Sequence, residues 1–333
     1  MGKGKTVKVI VTDYIEPDMA WEAEQLKAQG IEFEAHQLKF LPEDEVLEKV
    51  RDADVIVVNM VKFPESLISR LENCKLIIRH GIGYDNVDVD ACTKYGIQFA
   101  YQPDYCQIDV AEHAISLIFA CARKVCRSRK TLDESSQSGQ WDFTGLFPIY
   151  RMEGKTLGVL GVGRIGSHVV RKMQSFGFRI IGHDPYLSEK RRAAIQGIEW
   201  VDKEALFKEA DLITVHTPLR EDTRYIVNAE TLALMKPTAC LVNTSRGGMV
   251  DSLALAEALS AGKIACAAID VYEVEPPAPE FELFKLDNII LTPHIGWASE
   301  EAGWEIRESI LDDILAGCAG RDARCVVNEI RRS

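Results

Sequence analysis

The chain has 333 residues, of which 47% are hydrophobic and 27% charged, a globular composition long enough for two domains. Its 39 basic and 51 acidic residues give a net charge of −12, so we expect no nucleic-acid partner and no anionic-membrane partner. The absence of any apolar run of about 18 residues argues against a membrane span.

Short aliphatic runs alternate with amphipathic stretches along the chain, a pattern typical of parallel α/β units. The first run, at residues 7–11, predicts a strand, and residues 18–29 and 42–50 predict the first helices. Further strands are predicted at residues 55–58, 76–78, 98–100, 156–160, 179–183, 212–215, 239–242, 265–269 and 289–291.

Three stretches interrupt this alternation and indicate the domain organisation. Residues 108–129 predict one helix of about six turns, long enough to bridge two domains. Residues 135–150 are polar and then aromatic, which indicates either a loop or an arm that covers a second subunit, so we expect a homodimer. A last helix is predicted at 299–316. We therefore predict a first domain of residues 1–102 and 299–333, with residues 103–298 inserted as a complete α/β domain.

The cysteines and histidines do not form a metal motif. The nine cysteines include one close pair, Cys121 and Cys126, whose spacing fits neither a zinc site nor a redox motif. The seven histidines lie far from one another. We expect free thiols in a reducing cytoplasm and no bound metal.

A glycine-rich turn between a predicted strand and a predicted helix is the sharpest local signal. Gly161 permits a tight turn, Gly163 lets a pyrophosphate approach the backbone, and Gly166 lets the helix pack closely on the strand. Asp184 ends the next strand, 18 residues after Gly166, where a carboxylate accepts hydrogen bonds from both ribose hydroxyls. Because that carboxylate repels a 2′-phosphate, the sequence predicts NAD rather than NADP as the cofactor.

Four polar segments follow the later strands, at residues 216–219, 243–248, 269–277 and 292–297. Ligands of open α/β sheets bind at the carboxyl ends of the strands, so these segments are expected beside the nicotinamide. Together they supply a cation, a carboxylate and an imidazole.

These motifs resemble, in order and spacing, the D-isomer-specific 2-hydroxyacid dehydrogenase family over nearly the whole chain. Arg246 precedes Glu275 by 29 residues, and Glu275 precedes His294 by 19. The first domain matches through residues 79–88, RHGIGYDNVD. The resemblance implies two Rossmann-like or flavodoxin-like domains with doubly wound parallel sheets and an active site in the interdomain cleft.

The resemblance also assigns three catalytic residues. Arg246 would hold the substrate's carboxylate and carbonyl, a task that suits the guanidinium fork. His294 would be the general acid for 2-oxo acid reduction and the base for the reverse reaction. Glu275 would orient that imidazole and favour its protonated form. Glu273 is the nearest rival, but Glu275 directly precedes the Pro-Pro pair, as in the family.

Cofactor and substrate contacts follow from the same comparison. The substrate would meet the backbone amides of Ile82 and Gly83 and the side chain of Tyr105. The residues expected at the cofactor are Gly161, Gly163, Arg164, Ile165, Gly166, Asp184, His216, Pro218, Thr244, Ser245, Arg246, Asp270 and His294. Four other histidines are interpreted as structural, namely His80, His113, His168 and His183.

Trp297 narrows the substrate question. The family normally has a small residue at this position, and Trp297 with the following ASEE resembles a subgroup related to the C-terminal-binding proteins, which are NAD-linked corepressors. That resemblance implies that Trp297 lines the substrate pocket; the alternative is that it packs against the opposite domain.

The main hypothesis is an NAD-dependent enzyme that interconverts a 2-oxo acid and a D-2-hydroxy acid. The alternatives are an NAD-binding, corepressor-like scaffold and a glyoxylate/hydroxypyruvate or phosphoglycerate-type dehydrogenase. Within the last group a long-form phosphoglycerate dehydrogenase is disfavoured, because no regulatory domain follows residue 333. Formate dehydrogenase relatives lack a partner of the Glu275 type and are disfavoured as well.

Overall fold

The computed structural model describes residues 6–330, which fall into two compact units. One unit contains the residues up to Cys106 together with those from Ser299 onward, and the other is Gln107–Ala298. The first division lies four residues later than predicted, because the preceding segment packs within the first unit. Tyr105 of this segment packs against the first unit's buried apolar cluster that contains Val11.

The first unit contains a five-stranded parallel sheet in the order β2-β1-β3-β4-β5. Valines 9, 11, 55 and 57 face one side and isoleucines 10 and 56 the other, all at most 3% exposed. Burial of both faces explains the continuous apolar strands. The elements are β1 (Lys8–Val11), α1 (Ala20–Ala28), β2 (Glu32–Ala35), α2 (Glu43–Val50), β3 (Val55–Val58), α3 (Glu65–Ile68), β4 (Leu76–Arg79), α4 (Val89–Lys94) and β5 (Gln98–Ala100).

The second unit contains a seven-stranded parallel sheet in the order β8-β7-β6-β9-β10-β11-β12. Its elements are α5 (Gln107–Ala122), α6 (Val125–Ser138), β6 (Thr156–Leu160), α7 (Arg164–Met173), β7 (Arg179–His183), α8 (Glu189–Ala194), β8 (Glu199–Trp200), α9 (Lys203–Glu209), β9 (Leu212–Val215), α10 (Ala229–Leu234), β10 (Cys240–Asn243), α11 (Ser252–Ser260), β11 (Cys266–Ile269) and β12 (Ile289–Leu291). Short 3₁₀ helices occur at Thr144–Leu146, Gln174–Phe176, Gly247–Met249 and Glu282–Lys285.

Both sheets have the strand orders of doubly wound folds. The second unit has the Rossmann order, with the reversal between β6 and β9, and the first has the flavodoxin-like order. The predicted α/β class with parallel sheets is therefore confirmed. Ligands of such sheets bind beyond the carboxyl ends of the strands at the reversal point, so β6, β7 and β9 position the candidate cofactor site.

The single helix predicted at 108–129 is wrong, because the chain forms two helices there. Lys124, with φ of +53°, adopts the left-handed conformation between α5 and α6. Helix α5 buries a face against the sheet as far as Cys121, whereas α6 buries no residue. The chain therefore turns where α5 leaves the sheet, and no glycine or proline marks that turn in the sequence.

The last helix, α12 (Glu300–Cys318), packs on the first unit. Ile306, Ile310 and Ile314 recur every four residues and join the same buried cluster as Val9 and Val57. This i, i+4 spacing places the three isoleucines on one face of the helix. Within residues 6–330, no helix is long and apolar enough to cross a membrane.

Candidate cofactor and active site

The glycine-rich turn after β6 has the geometry that its sequence predicts. Gly161 has a φ of +87°, and a Cβ there would lie 2.7 Å from the backbone nitrogen of Thr217. A Cβ on Gly166 would lie 2.2 Å from the carbonyl oxygen of Gly161, so the first turn of α7 packs directly on the loop. Gly163 has no atom within 4 Å of a built Cβ, which leaves its backbone open to an approaching group.

The start of α7 supplies the features of an anion site. Gly163 is its N-cap, and no side chain of the described residues caps it. The N-terminal amides of α7, beginning with those of Arg164 and Ile165, point towards the loop with the positive end of the helix dipole. Asp184 follows β7 and accepts hydrogen bonds from the amides of Val162 at 3.0 Å and Tyr186 at 3.1 Å. The glycine loop and the acidic residue are therefore one local assembly.

Two buried polar atoms near the ends of β9 and β10 lack hydrogen-bond partners among the described residues. They are Nδ1 of His216 and Oγ1 of Thr244. Nε2 of His216 is 2.9 Å from Oγ1 of Thr214, and burial lowers the pKa of His216 to about 4, so its imidazole is neutral. Unpaired buried polar atoms are costly, and a polar ligand relieves that cost. These residues and the glycine loop therefore fit a dinucleotide.

The segment after β10 presents Arg246. Asn243 fixes its backbone by donating to the carbonyl of Arg246 at 2.9 Å and by accepting from the amide of Ser245 at 3.1 Å. A Cβ on Gly247 would lie 1.9 Å from the carbonyl carbon of Tyr272. Only a glycine permits this approach, which brings the Arg246 loop against the segment that leads to Glu275.

His294 and Glu275 form the pair that the spacing predicts. Nδ1 of His294 is 2.8 Å from Oε2 of Glu275, whose Oε1 also accepts from the amide of Tyr272 at 3.0 Å. Burial raises the pKa of Glu275, but the hydrogen bond and charge of His294, the amide of Tyr272 and the charge of Arg246 together lower it by more, so it lies below its usual range. Glu275 is therefore a carboxylate at neutral pH, and because Nδ1 faces it, Nε2 is the nitrogen available to a ligand.

Asp270, only 1% exposed, anchors the loop that carries His294. Its Oδ1 accepts from the amide of Ile295 at 3.0 Å and from Oγ1 of Thr292 at 2.5 Å. Its Oδ2 accepts from the amide of Gly296 at 2.9 Å. Burial raises the pKa of Asp270, and these hydrogen bonds together with the imidazole of His113 lower it by more. Asp270 is thus a buried carboxylate that organises the loop.

Trp297 is half-buried and lies three residues after His294. It occupies a turn in which Ala298 donates to the carbonyl of Ile295 at 2.9 Å. The backbone of Trp297 is therefore part of the turn that follows His294. A pocket-lining role for Trp297 stays a prediction.

The residues expected at the substrate's carboxylate belong to the first unit. Ile82 and Gly83 are half-buried in the loop after β4, next to Gly81, whose φ is +145°. Tyr105 is half-buried against the apolar cluster that contains Val11. Their contact with the substrate stays a prediction.

Residues 115–296 match the D-isomer specific 2-hydroxyacid dehydrogenase, NAD binding domain. The chain belongs to the D-isomer-specific 2-hydroxyacid dehydrogenase family. Over 97% of its length it is 42% identical to D-3-phosphoglycerate dehydrogenase of Methanocaldococcus jannaschii, of which it covers 59%. It therefore spans about three-fifths of the length of that relative. Over 88% of its length it is 39% identical to hydroxypyruvate reductase of Thermotoga maritima, of which it covers 95%.

A D-lactate dehydrogenase from Aquifex aeolicus, solved with NAD and lactic acid, has a similar structure. The TM-score is 0.83 at 28% identity, over 94% of this chain and 96% of that one. The family model that matches residues 115–296 describes an NAD-binding domain, and NAD is the cofactor of this chain.

Sequence reasoning missed one residue at this site. His113, interpreted as structural, places its Nε2 3.4 Å from Oδ1 of Asp270. The two residues are 157 positions apart in the sequence, so no local sequence motif contains both of them. Among the described residues, no group of three or more histidine, cysteine or acidic side chains has the geometry of a metal site.

Proposed function

We propose that the protein interconverts a 2-oxo acid and the corresponding D-2-hydroxy acid with NAD. The observation that carries this proposal is the 2.8 Å contact between Nδ1 of His294 and Oε2 of Glu275. It holds an imidazole with one nitrogen bound to a carboxylate, in the same unit as the dinucleotide turn. This is the arrangement of a reversible proton donor beside a hydride site.

In this proposal each residue has one role. Bound NADH supplies the hydride that reaches C2 of the 2-oxo acid. His294 donates the Nε2 proton to the carbonyl oxygen, and its imidazolium is stabilised by Glu275. The guanidinium of Arg246 pairs with the substrate's carboxylate and polarises its carbonyl. In the reverse direction, the neutral imidazole of His294 accepts the hydroxyl proton.

The first unit supplies carboxylate binding in this proposal. The amides of Ile82 and Gly83 would donate to the substrate's carboxylate, and Tyr105 would contact the substrate. Backbone amides suit this task because they carry fixed partial charges and need no reorganisation.

The substrate preference tests both the proposed activity and the proposed pocket-lining role of Trp297. With NADH, kcat/KM should rise from glyoxylate towards a 2-oxo acid with a four- or five-atom apolar tail. Burying one apolar side chain against the indole contributes roughly 1.5–3 kcal/mol, or about ten- to a hundredfold. Hydroxypyruvate gains less, because its hydroxyl loses hydration on entering. Steady-state kinetics with a panel of 2-oxo acids measure this ranking.

Trp297→Ala should flatten the ranking and leave glyoxylate turnover nearly unchanged. Trp304→Ala is the matched control, because Trp304 meets Trp21 edge to face and lies against Arg307 in the first unit. If the enzyme prefers glyoxylate or hydroxypyruvate, the expected apolar substrate is wrong and the substrate is a small polar 2-oxo acid. NADH binding without turnover of any acid, phosphohydroxypyruvate included, would instead support the corepressor-like scaffold.

We propose that residues 139–150 form a homodimer contact. Trp141 is 79% and Phe147 61% exposed, and Phe143 lies between them with ring centroids 6.3 Å from each. An exposed aromatic row of this kind is typical of an interface. Trp141→Asp with Phe147→Asp should weaken dimerisation at least about thirtyfold, as expected for interface anchors. Sedimentation equilibrium at micromolar concentration measures the change.

The control for the segment 139–150 is Phe40→Asp, because Phe40 is a similarly exposed aromatic residue, at 73%, outside that segment. That variant should retain the wild-type mass. A wild-type protein that sediments as a monomer would contradict the dimer.

A cytoplasmic location is also proposed. Sγ of Cys266 donates a hydrogen bond to Sγ of Cys240 at 3.0 Å, so these two residues are thiols. Thiols that stay reduced beside each other are expected in a reducing compartment.

A further inference from the structure

Helix α5 carries a histidine that faces the loop of His294. Nε2 of His113 lies 3.4 Å from Oδ1 of Asp270 and 3.4 Å from Oγ1 of Thr292. Fully buried alanines at positions 111 and 114, on either side of His113, hold α5 against the sheet. His113 therefore extends from a rigid element to two side chains that follow the ends of β11 and β12.

The imidazole also lies close to Gly296 in the loop. A methyl group on Gly296 would lie 3.2 Å from Cδ2 of His113 and 3.0 Å from Oδ2 of Asp270. Asp270 in turn binds the amides of Ile295 and Gly296. A continuous series of contacts thus runs from α5 through Asp270 to the residue that follows His294.

His294 needs this support because its backbone conformation is unfavourable. Its φ of +55° lies in the left-handed region, which is uncommon for residues other than glycine. Such a conformation persists where neighbouring contacts determine it, and it is common at functional sites. Asp270 supplies contacts directly after His294, and the bond to Glu275 fixes the imidazole itself. A buried carboxylate such as Asp270 keeps one orientation only when donors surround it.

We propose that His113 is a positioning residue for the reaction. It orients Asp270 and Thr292, and through them it keeps the His294 loop in the conformation that aims Nε2 of His294 at the substrate. The inference rests on the proposed function, since it assigns His113 to the same acid–base site. The role differs from packing, because it needs the imidazole N–H as well as the ring.

Two variants separate these roles. His113→Phe keeps the ring and removes the donor, whereas His113→Gln places an amide donor near the position of Nε2. The Phe variant should lose about ten- to a hundredfold in kcat, with little change in the KM of the 2-oxo acid or in the Kd of NADH. The Gln variant should recover most of the activity. Steady-state kinetics and fluorescence titration with NADH measure both quantities.

Hydrogen–deuterium exchange measures the protection of the backbone amides in the His294 loop independently of catalysis. In the Phe variant the amides of Ile295 and Gly296 should exchange faster than in the wild type, and in the Gln variant they should be protected again. His168→Phe is the matched control, because His168 on α7 pairs with Arg171 away from the loop, and it should change neither kcat nor exchange.

Three results would overturn the positioning role. One is a Phe variant with wild-type kcat, and another is a Phe variant with wild-type exchange. The third is a joint loss of NADH affinity, thermal stability and kcat that Gln does not restore, which would make His113 a packing residue. If the wild type reduces no 2-oxo acid, the proposed function fails, but the exchange comparison still decides whether His113 holds the loop.

Discussion

Replacing His294 with asparagine should lower kcat/KM for 2-oxo acid reduction by about 10²- to 10⁴-fold, the usual contribution of a general acid. Asparagine keeps a donor towards Glu275 but has no proton to release near neutral pH. NADH should bind with nearly wild-type affinity, because the turn at Gly161 and the carboxylate of Asp184 are untouched. Single-turnover kinetics with NADH and fluorescence titration separate the two effects.

Glu275→Gln should also lower the rate of 2-oxo acid reduction, but by less than the His294 substitution does. The hydrogen bond to a charged imidazole contributes about 1.5–3 kcal/mol, so the loss should be roughly ten- to a hundredfold in kcat. Glu273→Gln is the matched control, because Glu273 bonds Tyr225 and Ser252 instead of His294. A larger loss in the Glu273 variant than in the Glu275 variant would mean that the catalytic carboxylate is wrongly assigned.

Replacing Asp184 with serine should change the cofactor preference. The carboxylate oxygens each accept one backbone amide and keep a second lone pair for a ribose hydroxyl. The loss of those hydrogen bonds weakens the binding of NADH by about 1.5–3 kcal/mol. The loss of the negative charge removes the repulsion of a 2′-phosphate. The ratio of kcat/KM for NADH over NADPH should fall at least about a hundredfold. Initial rates with both cofactors measure the ratio.

Arg192 provides the internal check on that prediction. Its guanidinium donates to the carbonyl of Asp184 and lies 5.2 Å from the ring centroid of Trp200. A cation therefore already lies beside Asp184. Arg192→Leu in the Asp184→Ser background should remove most of the gained NADPH activity. A wild-type protein that prefers NADPH would contradict the role given to Asp184.

Several local elements could be predicted from the sequence because the signal lies within a few residues. Strand β3 begins and ends as predicted, since it is a run of four buried aliphatic residues. Strands β2 and β8 were not predicted, because they are short edge strands that carry glutamate and lack a continuous apolar run. The break at Lys124 was missed for a different reason, since only the packing of α5 shows where the helix leaves the sheet.

The amino-acid sequence by itself determined the dinucleotide turn, since Gly161, Gly163 and Gly166 lie within one strand–turn–helix unit and Gly166 packs on the carbonyl of Gly161. It also determined the spacing that pairs Glu275 with His294, although the 2.8 Å contact required the fold. The place of His113 was decided by tertiary structure alone. Its contact with Asp270 joins residues 157 positions apart, and it exists because α5 packs beside β11 and β12 at the carboxyl end of the sheet.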